Sequence, residues 1–489
     1  MKKRFITNLG LLLLLNLLIK PFWIFGIDRS VQNITGTENY GMFFSLLSFS
    51  LLLNIIPDFG ISNFNNRETA RDHQSVHNHF SSFVALKIVL SVIYILCLLT
   101  IALLLNYDNR QLYLLMFLAL NQILSSFILY VRSNISGMQY FKTDSFLSVL
   151  DRTFMIIICM FLLWGQSSNH VFRIEWFVYA QTVSYILALL ISLITLLSLT
   201  GRLSLHLQTA GMISILRRCV PFALLTLLMA VYYRIDSVML ERLLPDGPTQ
   251  AGIYAQAFRI TDALIQFAVL FATLLLPMYS KMIKQKERVD QLTTLAFNLL
   301  LFPSVILVVA AGFCCREIMD MLYHSTTPWS GTILVILLVN YLFICVSYIF
   351  GTLHTANGNI GLLNRIAAAM VAINIVLNLV LIPRWQVMGA AVASLITQAS
   401  SALLQTIFAF RWFKFSISKR KSALFLLFIL LLMTAGFGFR MLSLPTVAVF
   451  GGTLSTGLGL AILFGHLNPR LLSEIWNARS LLPRHADQT

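Results

Sequence analysis

The chain has 489 residues, 58% of them apolar and only 11% Asp, Glu, Lys or Arg, against roughly 25% charged in an ordinary soluble domain. Its 35 Lys and Arg and 19 Asp and Glu cannot coat a soluble fold of this size, which excludes a soluble enzyme, a coiled coil and a disordered chain. The net charge of +16 is the surplus that cytoplasmic loops of membrane proteins carry, and it calls for no nucleic acid.

Lys2-Lys3-Arg4 and the Leu-rich run after it have the look of a signal peptide. No small-residue cleavage site follows, and the run meets Lys20-Pro21-Phe22-Trp23, so an uncleaved first span is expected. Apolar windows of about 20 residues, set apart by polar breaks, then give fourteen predicted spans. They lie near 7–27, 40–57, 80–105, 112–131, 145–164, 176–199, 219–239, 252–280, 292–314, 330–353, 363–383, 387–410, 422–439 and 446–466. No stretch is long enough for a soluble domain, and no Gly-rich run ending in Gly-Lys-Ser/Thr marks an ATPase module.

The loops support this count. With the N-terminus inside, alternate segments carry 23 Lys and Arg on the cytoplasmic side and 7 outside, and 5 fall within spans. Such alternation sets orientation and puts both termini in the cytoplasm. The chain also echoes itself. Pro21-Phe22 in the first span matches Pro221-Phe222 in the seventh, Tyr40-Gly41 matches Gly252-Ile253-Tyr254, and Ser136-Gly137 matches Asn357-Gly358, at offsets of 200 to 221 residues. The expected fold is an all-α polytopic membrane protein of two parallel six-helix lobes. Residues 1–200 form the first lobe and 201–415 the second; 416–466 add two helices, and 467–489 form a cytoplasmic tail.

The cations within spans are Lys20, Lys87, Arg152, Arg234 and Arg259. Each costs ~2.5–3.5 kcal/mol at a lipid-facing helix centre, so most should face a wet interior, snorkel or pair. Asp262 is three residues beyond Arg259 and shares its helix face. Asp151 and Arg152 are neighbours and point apart, as Arg234 and Asp236 do. Lys87 is placed to snorkel. Arg259, Asp262 and Gln266 form one polar stripe, and Asn16 and Lys20 another beside the Pro21 break. Span twelve carries Ser394, Gln398, Ser401 and Gln405 on one face. Intramembrane cations outnumber acids, which points to an anionic substrate such as a phosphate or pyrophosphate, the target of arginine's planar fork.

Other signals carry no chemistry. Asp58-Phe59-Gly60 spells a kinase triplet without the other kinase motifs. His73, His77 and His79 crowd one loop without a third ligand at metal spacing. The six Cys (97, 159, 219, 314, 315 and 345) read as small lipophilic side chains. No catalytic constellation, metal site or cofactor motif is found.

Several stretches resemble the bacterial polysaccharide-repeat exporters, the Wzx-type oligosaccharide flippases of the multidrug/oligosaccharidyl-lipid/polysaccharide exporter superfamily. They are Asp28-Arg29, Glu38-Asn39-Tyr40-Gly41, Ile56-Pro57-Asp58-Phe59-Gly60-Ile61 and Asn66-Arg67-Glu68-Thr69-Ala70, then Arg234-Ile235-Asp236-Ser237 and Ala251-Gly252-Ile253-Tyr254. Ala356-Asn357-Gly358-Asn359, Asn374, Asn378, Ile382-Pro383 and Met388-Gly389-Ala390-Ala391 follow in the family's order, so the likeness covers about residues 5–415.

The resemblance implies two six-helix lobes forming a V that opens alternately to each side. It also implies an undecaprenyl-pyrophosphate-linked oligosaccharide as substrate, carried across the bacterial inner membrane for surface polysaccharide synthesis. A polysaccharide polymerase and glycosyltransferases are expected partners, besides membrane lipids. A cationic cavity engaging the pyrophosphate places Arg29, Arg234 and Arg259 as candidate binding residues, and Lys20 joins them from its place beside Pro21. Asp151 and Asp262 are the acids available for ion coupling. Three other readings stand beside this one: a drug antiporter of the same fold, a membrane polymerase or ligase acting on lipid-linked sugar, and a scaffold for a membrane synthase complex.

Overall fold

The computed structural model describes residues 18–72, 75–165, 172–201, 212–415 and 419–465. Lys2, Lys3, Arg4, Asn16, His73 and the expected tail 467–489 lie outside them. Every regular element among the described residues is helical. α1 (Trp23–Asp28) is a π-helical segment that continues a helical turn at 18–22 and runs into α2 (Arg29–Leu52). α3 (Ile61–Arg71) follows a turn, then come α4 (Ser75–Leu104), α5 (Asn109–Gly137), α6 (Phe141–Trp164) and α7 (Ile174–Thr200). The second set is α8 (Met212–Leu243), α9 (Gly247–Lys284), α10 (Asp290–Phe313), the short α11 (Cys315–Leu322), α12 (Ser330–Ala356) and α13 (Ile360–Phe413). α14 (Lys419–Met441) and α15 (Thr446–Leu463) close the described chain.

Eleven of these helices are long and apolar enough to cross a membrane. Against the fourteen predicted spans, one of the eleven, α13, holds two, and spans one and two fall on α1 and α2, which are not among the eleven; a backbone break lies in each place. At 1.5 Å per residue, the 54 residues of α13 would reach about 80 Å, far beyond the ~30 Å hydrocarbon core. The helix breaks at Gln386 (φ 50°, ψ −129°), three residues after Pro383, whose ring lacks an N–H and ends a helical ladder. Spans eleven and twelve are therefore the two arms of α13. In α2 the break falls at Gly36 (φ 80°, ψ 167°), a conformation essentially reserved for glycine. The first span thus runs on past the predicted residue 27, through α1 to residue 35, and the second begins after Gly36.

The first and second sets meet where α2 packs on α8 and α9. Glycine sets that approach. A Cβ on Gly41 would lie 1.8 Å from the Pro248 carbonyl oxygen, and one on Gly252 would lie 2.0 Å from that of Thr37. The two glycines that the internal echo paired thus form one backbone crossing. The crossing lies at the end of the bundle opposite the basic loops. α14 and α15 pack on α10, where Gly436 meets the Phe313 ring and Gly457 meets Ile306.

Lys87 departs from expectation. It does not snorkel: its side chain has no exposed surface and donates to Asp58 Oδ1 and Ser126 Oγ, both at 2.6 Å. The Asp58-Phe59-Gly60 triplet is the turn that ends span two, with Phe59 (φ 49°) and Gly60 (φ 82°) left-handed. The Lys87 pair holds that turn.

Candidate functional site

The helices bring several of the intramembrane charges together. Asp28 ends the π-helical segment, and an extra residue per turn of that kind re-aims side chains at many functional sites. Its carboxylate is 2% exposed. Tyr40, on the other arm of the Gly36 break, donates its hydroxyl to Asp28 Oδ2 at 2.6 Å. Arg259 enters from α9, twelve residues after Gly247. Its Nε donates to the Tyr40 hydroxyl at 3.0 Å and lies 3.0 Å from Asp28 Oδ2. The guanidinium carbon is 5.1 Å from the centre of the Phe44 ring. The three polar groups close a triangle between the two sets of helices.

Asp262 extends the cluster. Its carboxylate lies 3.9 Å from Arg259 Nη1 and 3.7 Å from Arg234 Nη2, and it accepts from the Tyr233 hydroxyl at 3.2 Å. The pairing of Arg259 with Asp262 along one helix face is present but long; the closer partner is Asp28, from another helix. The Arg234 guanidinium lies against the adjacent rings of Tyr233 and Phe258, at 5.2 and 5.1 Å. Its Nη1, like Arg29 Nε, is buried without an acceptor among the described residues. Lys20 Nζ donates to Gln266 Oε1 at 3.2 Å, the next member of the polar stripe on α9. Asp151 lies 3.5 Å from Arg152 Nε, and Arg152 Nη2 reaches the Tyr185 hydroxyl at 3.5 Å.

Lys20, Arg234 and Arg259 therefore meet in one neighbourhood with Asp262, while Asp151 touches it through Arg152, which interacts electrostatically with Lys20, Arg259 and Asp28. Arg29, next to Asp28 in the chain, stands beside the cluster without an ion pair among the described residues. The reading of the sequence did not anticipate Asp28 and Tyr40 as partners of Arg259, or Arg152 as part of the group. The signal for the first two was present in the Asp-Arg and Tyr-Gly pairs on either side of a glycine, but the π-helical offset that aligns them has no sequence signature. Asp236 belongs elsewhere. It accepts from Asn378 at 2.7 Å and Asn374 at 3.1 Å, and from Tyr254 at 3.2 Å. Three of the residues quoted for the family likeness, Asn374, Asn378 and Tyr254, are thereby spent on one buried carboxylate.

Electrostatically the cluster is short of acid. Lys20, Arg29, Arg152, Arg234 and Arg259 stand against Asp28, Asp151 and Asp262. Moving two charges out of water costs several kcal/mol per ion unless geometry and extra hydrogen bonds offset it. The Asp28–Tyr40–Arg259 triangle meets that demand. Arg234 and Arg29, with donors unspent, do not. An arrangement of this kind can receive an anion with several oxygens, and nothing in it is arranged as a nucleophile with a base.

These features define a class. The fold is that of a solved lipid II flippase, MurJ in its inward-closed conformation, with a TM-score of 0.69, 14% identity, and 94% of this chain matched to 99% of that one. It is also that of an inward-facing multidrug resistance transporter of the MATE family, of the MOP superfamily, with a TM-score of 0.57, 14% identity, and 82% of this chain matched to 94% of that one. The protein is thus a multi-pass membrane protein that shares the fold of those transporters. The chain belongs to the family described as polysaccharide biosynthesis protein, whose profile matches residues 8–283. A curated relative, the probable low-salt glycan biosynthesis flippase Agl15 of Haloferax volcanii, is 28% identical over 160 residues, 32% of this chain and 34% of the relative. The match thus spans about a third of that relative's length.

Proposed function

We propose that the protein is a flippase for lipid-linked oligosaccharide. In this reading it carries undecaprenyl-pyrophosphate-linked repeat units across the bacterial cytoplasmic membrane for surface polysaccharide synthesis. The observation that carries the proposal is a cluster within the spans, between helices of both sets, in which Arg152, Arg234 and Arg259 approach three carboxylates while Lys20 and Arg29 stand beside them without one among the described residues. A diphosphate supplies the missing negative charge, and a charged or polar head group dragged through hydrocarbon without such partners would lose its hydration at great cost. Arg259, Arg234, Arg29 and Lys20 receive the diphosphate, the sugars occupy the polar interior, and the prenyl chain stays in lipid.

The two sets of helices, residues 18–200 and 212–413, act as lobes that rock about the bound head group, with both termini on the cytoplasmic side. Asp28 and Asp262 are the counter-ions that the diphosphate displaces. Asp262, shared between two arginines, and Asp151 are the groups through which an ion gradient would couple. No bond in the substrate changes.

The test is leaflet-resolved labelling of the prenyl-linked glycan in cells carrying Arg259→Ala or Lys20→Ala. Repeat units should accumulate on the cytoplasmic leaflet, with surface polysaccharide lost. Unchanged surface polysaccharide with lost drug tolerance would overturn the proposal in favour of a drug antiporter.

A further inference from the structure

Helix α8 meets the first set of helices on both sides of the charged cluster. At the end opposite the basic loops, its Glu241 accepts from Ser45 at 2.9 Å. At the end that carries the basic loops, Cys219 packs on the turn that ends span two. A Cβ built on Gly60 lies 3.6 Å from Cys219 Cβ and 3.8 Å from its Sγ. Along α8, Cys219 and Glu241 are about 33 Å apart at 1.5 Å per residue, close to the ~30 Å thickness of the hydrocarbon core. Arg234 of the cluster stands between them.

The two sides of the Gly60–Cys219 contact differ in stiffness. The turn is pinned. Lys87 Nζ donates to Asp58 Oδ1 and to Ser126 Oγ, Ser62 donates to the same carboxylate oxygen, and Ile61 is buried among Phe83, Leu90 and Tyr130. The α8 side is hinged. Ile215, Leu216 and Cys219 share one helix face, at i,i+3 and i,i+4 spacing, and Ile215 and Leu216 are half-buried against that same cluster. Pro221 stands two residues beyond, inside the helix. It has no N–H for the Arg217 carbonyl, and its ring crowds that carbonyl, so the ladder joining these turns to the rest of α8 is interrupted, and helices kink at such places. From Pro221 onward α8 is held by α13. Asn364 donates to the Pro221 carbonyl at 3.0 Å, and Tyr232 is buried with Leu362, Ile366 and Met370.

We propose that residues 213–220 are a lid, hinged at Pro221, that closes the inner end of the path to the charged cluster against the pinned turn 58–60. A cysteine behaves as a small hydrophobe, so this closure is built of small and apolar groups, whereas the opposite end is held by hydrogen bonds to a carboxylate. The inner end is therefore the one that parts more readily. The proposal rests on the flippase reading for what passes the lid, and not for the lid's motion.

The experiment uses the full chain with Cys219 kept and the other five cysteines replaced. Gly60→Cys is added, since a Cβ–Cβ distance of 3.6 Å suits a disulfide. Gln266→Cys places a probe at the partner of Lys20. Inside-out vesicles present the inner face to a membrane-impermeant thiol reagent, and its reaction at residue 266 is read by peptide mass spectrometry. Expected on mild oxidation is a disulfide between residues 60 and 219, with labelling at residue 266 slowed at least tenfold and recovered after reduction. Pro221→Ala, in the background without Gly60→Cys, should slow the same labelling at least tenfold by stiffening the hinge. Gly60→Cys with Cys219→Ser carries the strain of a side chain at φ 82° without the link, and should label as the parent does. Melting curves identify any variant that fails to fold. Labelling indifferent to the disulfide would overturn the lid, as would a disulfide that does not form, and undiminished labelling in Pro221→Ala would overturn the hinge. A lid that governs access while no lipid-linked glycan is flipped would leave this inference standing and remove the flippase reading.

Discussion

Lys87 shows how a single residue can be placed correctly in a span and still be misjudged. Its position about a third of the way into the predicted span 80–105 suits snorkelling, yet the side chain turns inward to Asp58 across 29 residues of sequence. The partner is exposed only because a Pro57 turn ends span two there, and hydropathy does not encode where such a turn folds back. Removing one member of a buried pair leaves the other uncompensated, at a cost of about 3–5 kcal/mol, less here because the Asp58 side chain keeps 15% of its surface exposed. Lys87→Met should therefore lower the melting temperature of the purified protein clearly. The double variant Lys87→Met with Asp58→Asn, which removes both charges, should recover most of the loss. A single variant as stable as the wild type would show that the pair contributes nothing. Asp28 allows a second prediction, resting on the flippase reading. As the short-range competitor for Arg259, it should weaken anion binding, so Asp28→Asn, which keeps an acceptor for Tyr40, should lower the KM for lipid-linked glycan by about tenfold, or 1.4 kcal/mol. The same change should slow turnover, because the diphosphate is then not displaced. Transport assays in proteoliposomes separate the two parameters, and a raised KM would contradict the competition.

At the scale of elements, helix identity was legible and helix continuity was not. Runs of apolar residues located the spans, because a bilayer demands long apolar helices with internally satisfied backbones. The breaks were partly legible: Pro383 predicted the end of span eleven, and the Tyr40-Gly41 and Gly252 echo pointed to a pair of equivalent span entries. Gly36 gave no warning, being one glycine among 24, and the first span was consequently predicted to stop eight residues early. The charged cluster followed the same pattern. The stripe of Arg259, Asp262 and Gln266 came from helical spacing within one element, whereas Asp28 and Tyr40 join it through contacts between elements that a period cannot report. The breaks make their own prediction. Gln386 holds a backbone conformation at φ 50° and ψ −129° that costs a non-glycine residue of order 1–3 kcal/mol. Gln386→Gly relieves that strain but adds freedom to the unfolded chain, so it should stabilise the protein by about 1 kcal/mol or less, seen as a small rise in melting temperature. A fall would mean that the Gln386 side chain holds the turn.

Across the whole molecule, the contacts between the two sets of helices are concentrated at the end opposite the basic loops. There, Gln32 donates to the Gly252 carbonyl at 2.9 Å and Asn33 to that of Leu322 at 2.9 Å. Glu241 of α8, 0% exposed at its side chain, accepts from Ser45 at 2.9 Å and Gln111 at 2.5 Å, both in the first set. Arg242 beside it pairs with the same carboxylate at 2.5 Å and covers the Tyr107 ring at 4.1 Å. Together with the Gly41–Gly252 crossing, these contacts close that face, which is the outer one in the proposed orientation. Opening it requires all of them to part. Hydrogen bonds to a charged group contribute about 1.5–3 kcal/mol each, so losing the two that cross to the first set shifts a closed-to-open equilibrium by a factor of about 10²–10⁴. Glu241→Ala should accordingly populate an outward-open form. Gly252→Ala should do the same by a different route, since its methyl cannot share space with the Thr37 carbonyl. Both can be read from a cysteine introduced by Thr37→Cys in a background without the six native cysteines, as its rate of labelling by a membrane-impermeant reagent added outside. A tenfold or greater rise in both variants would place the seal where the backbones cross. A rate unchanged in both would mean that the outer face is held shut elsewhere, and that the closeness of Gly41 to Gly252 is packing without a part in the transport cycle.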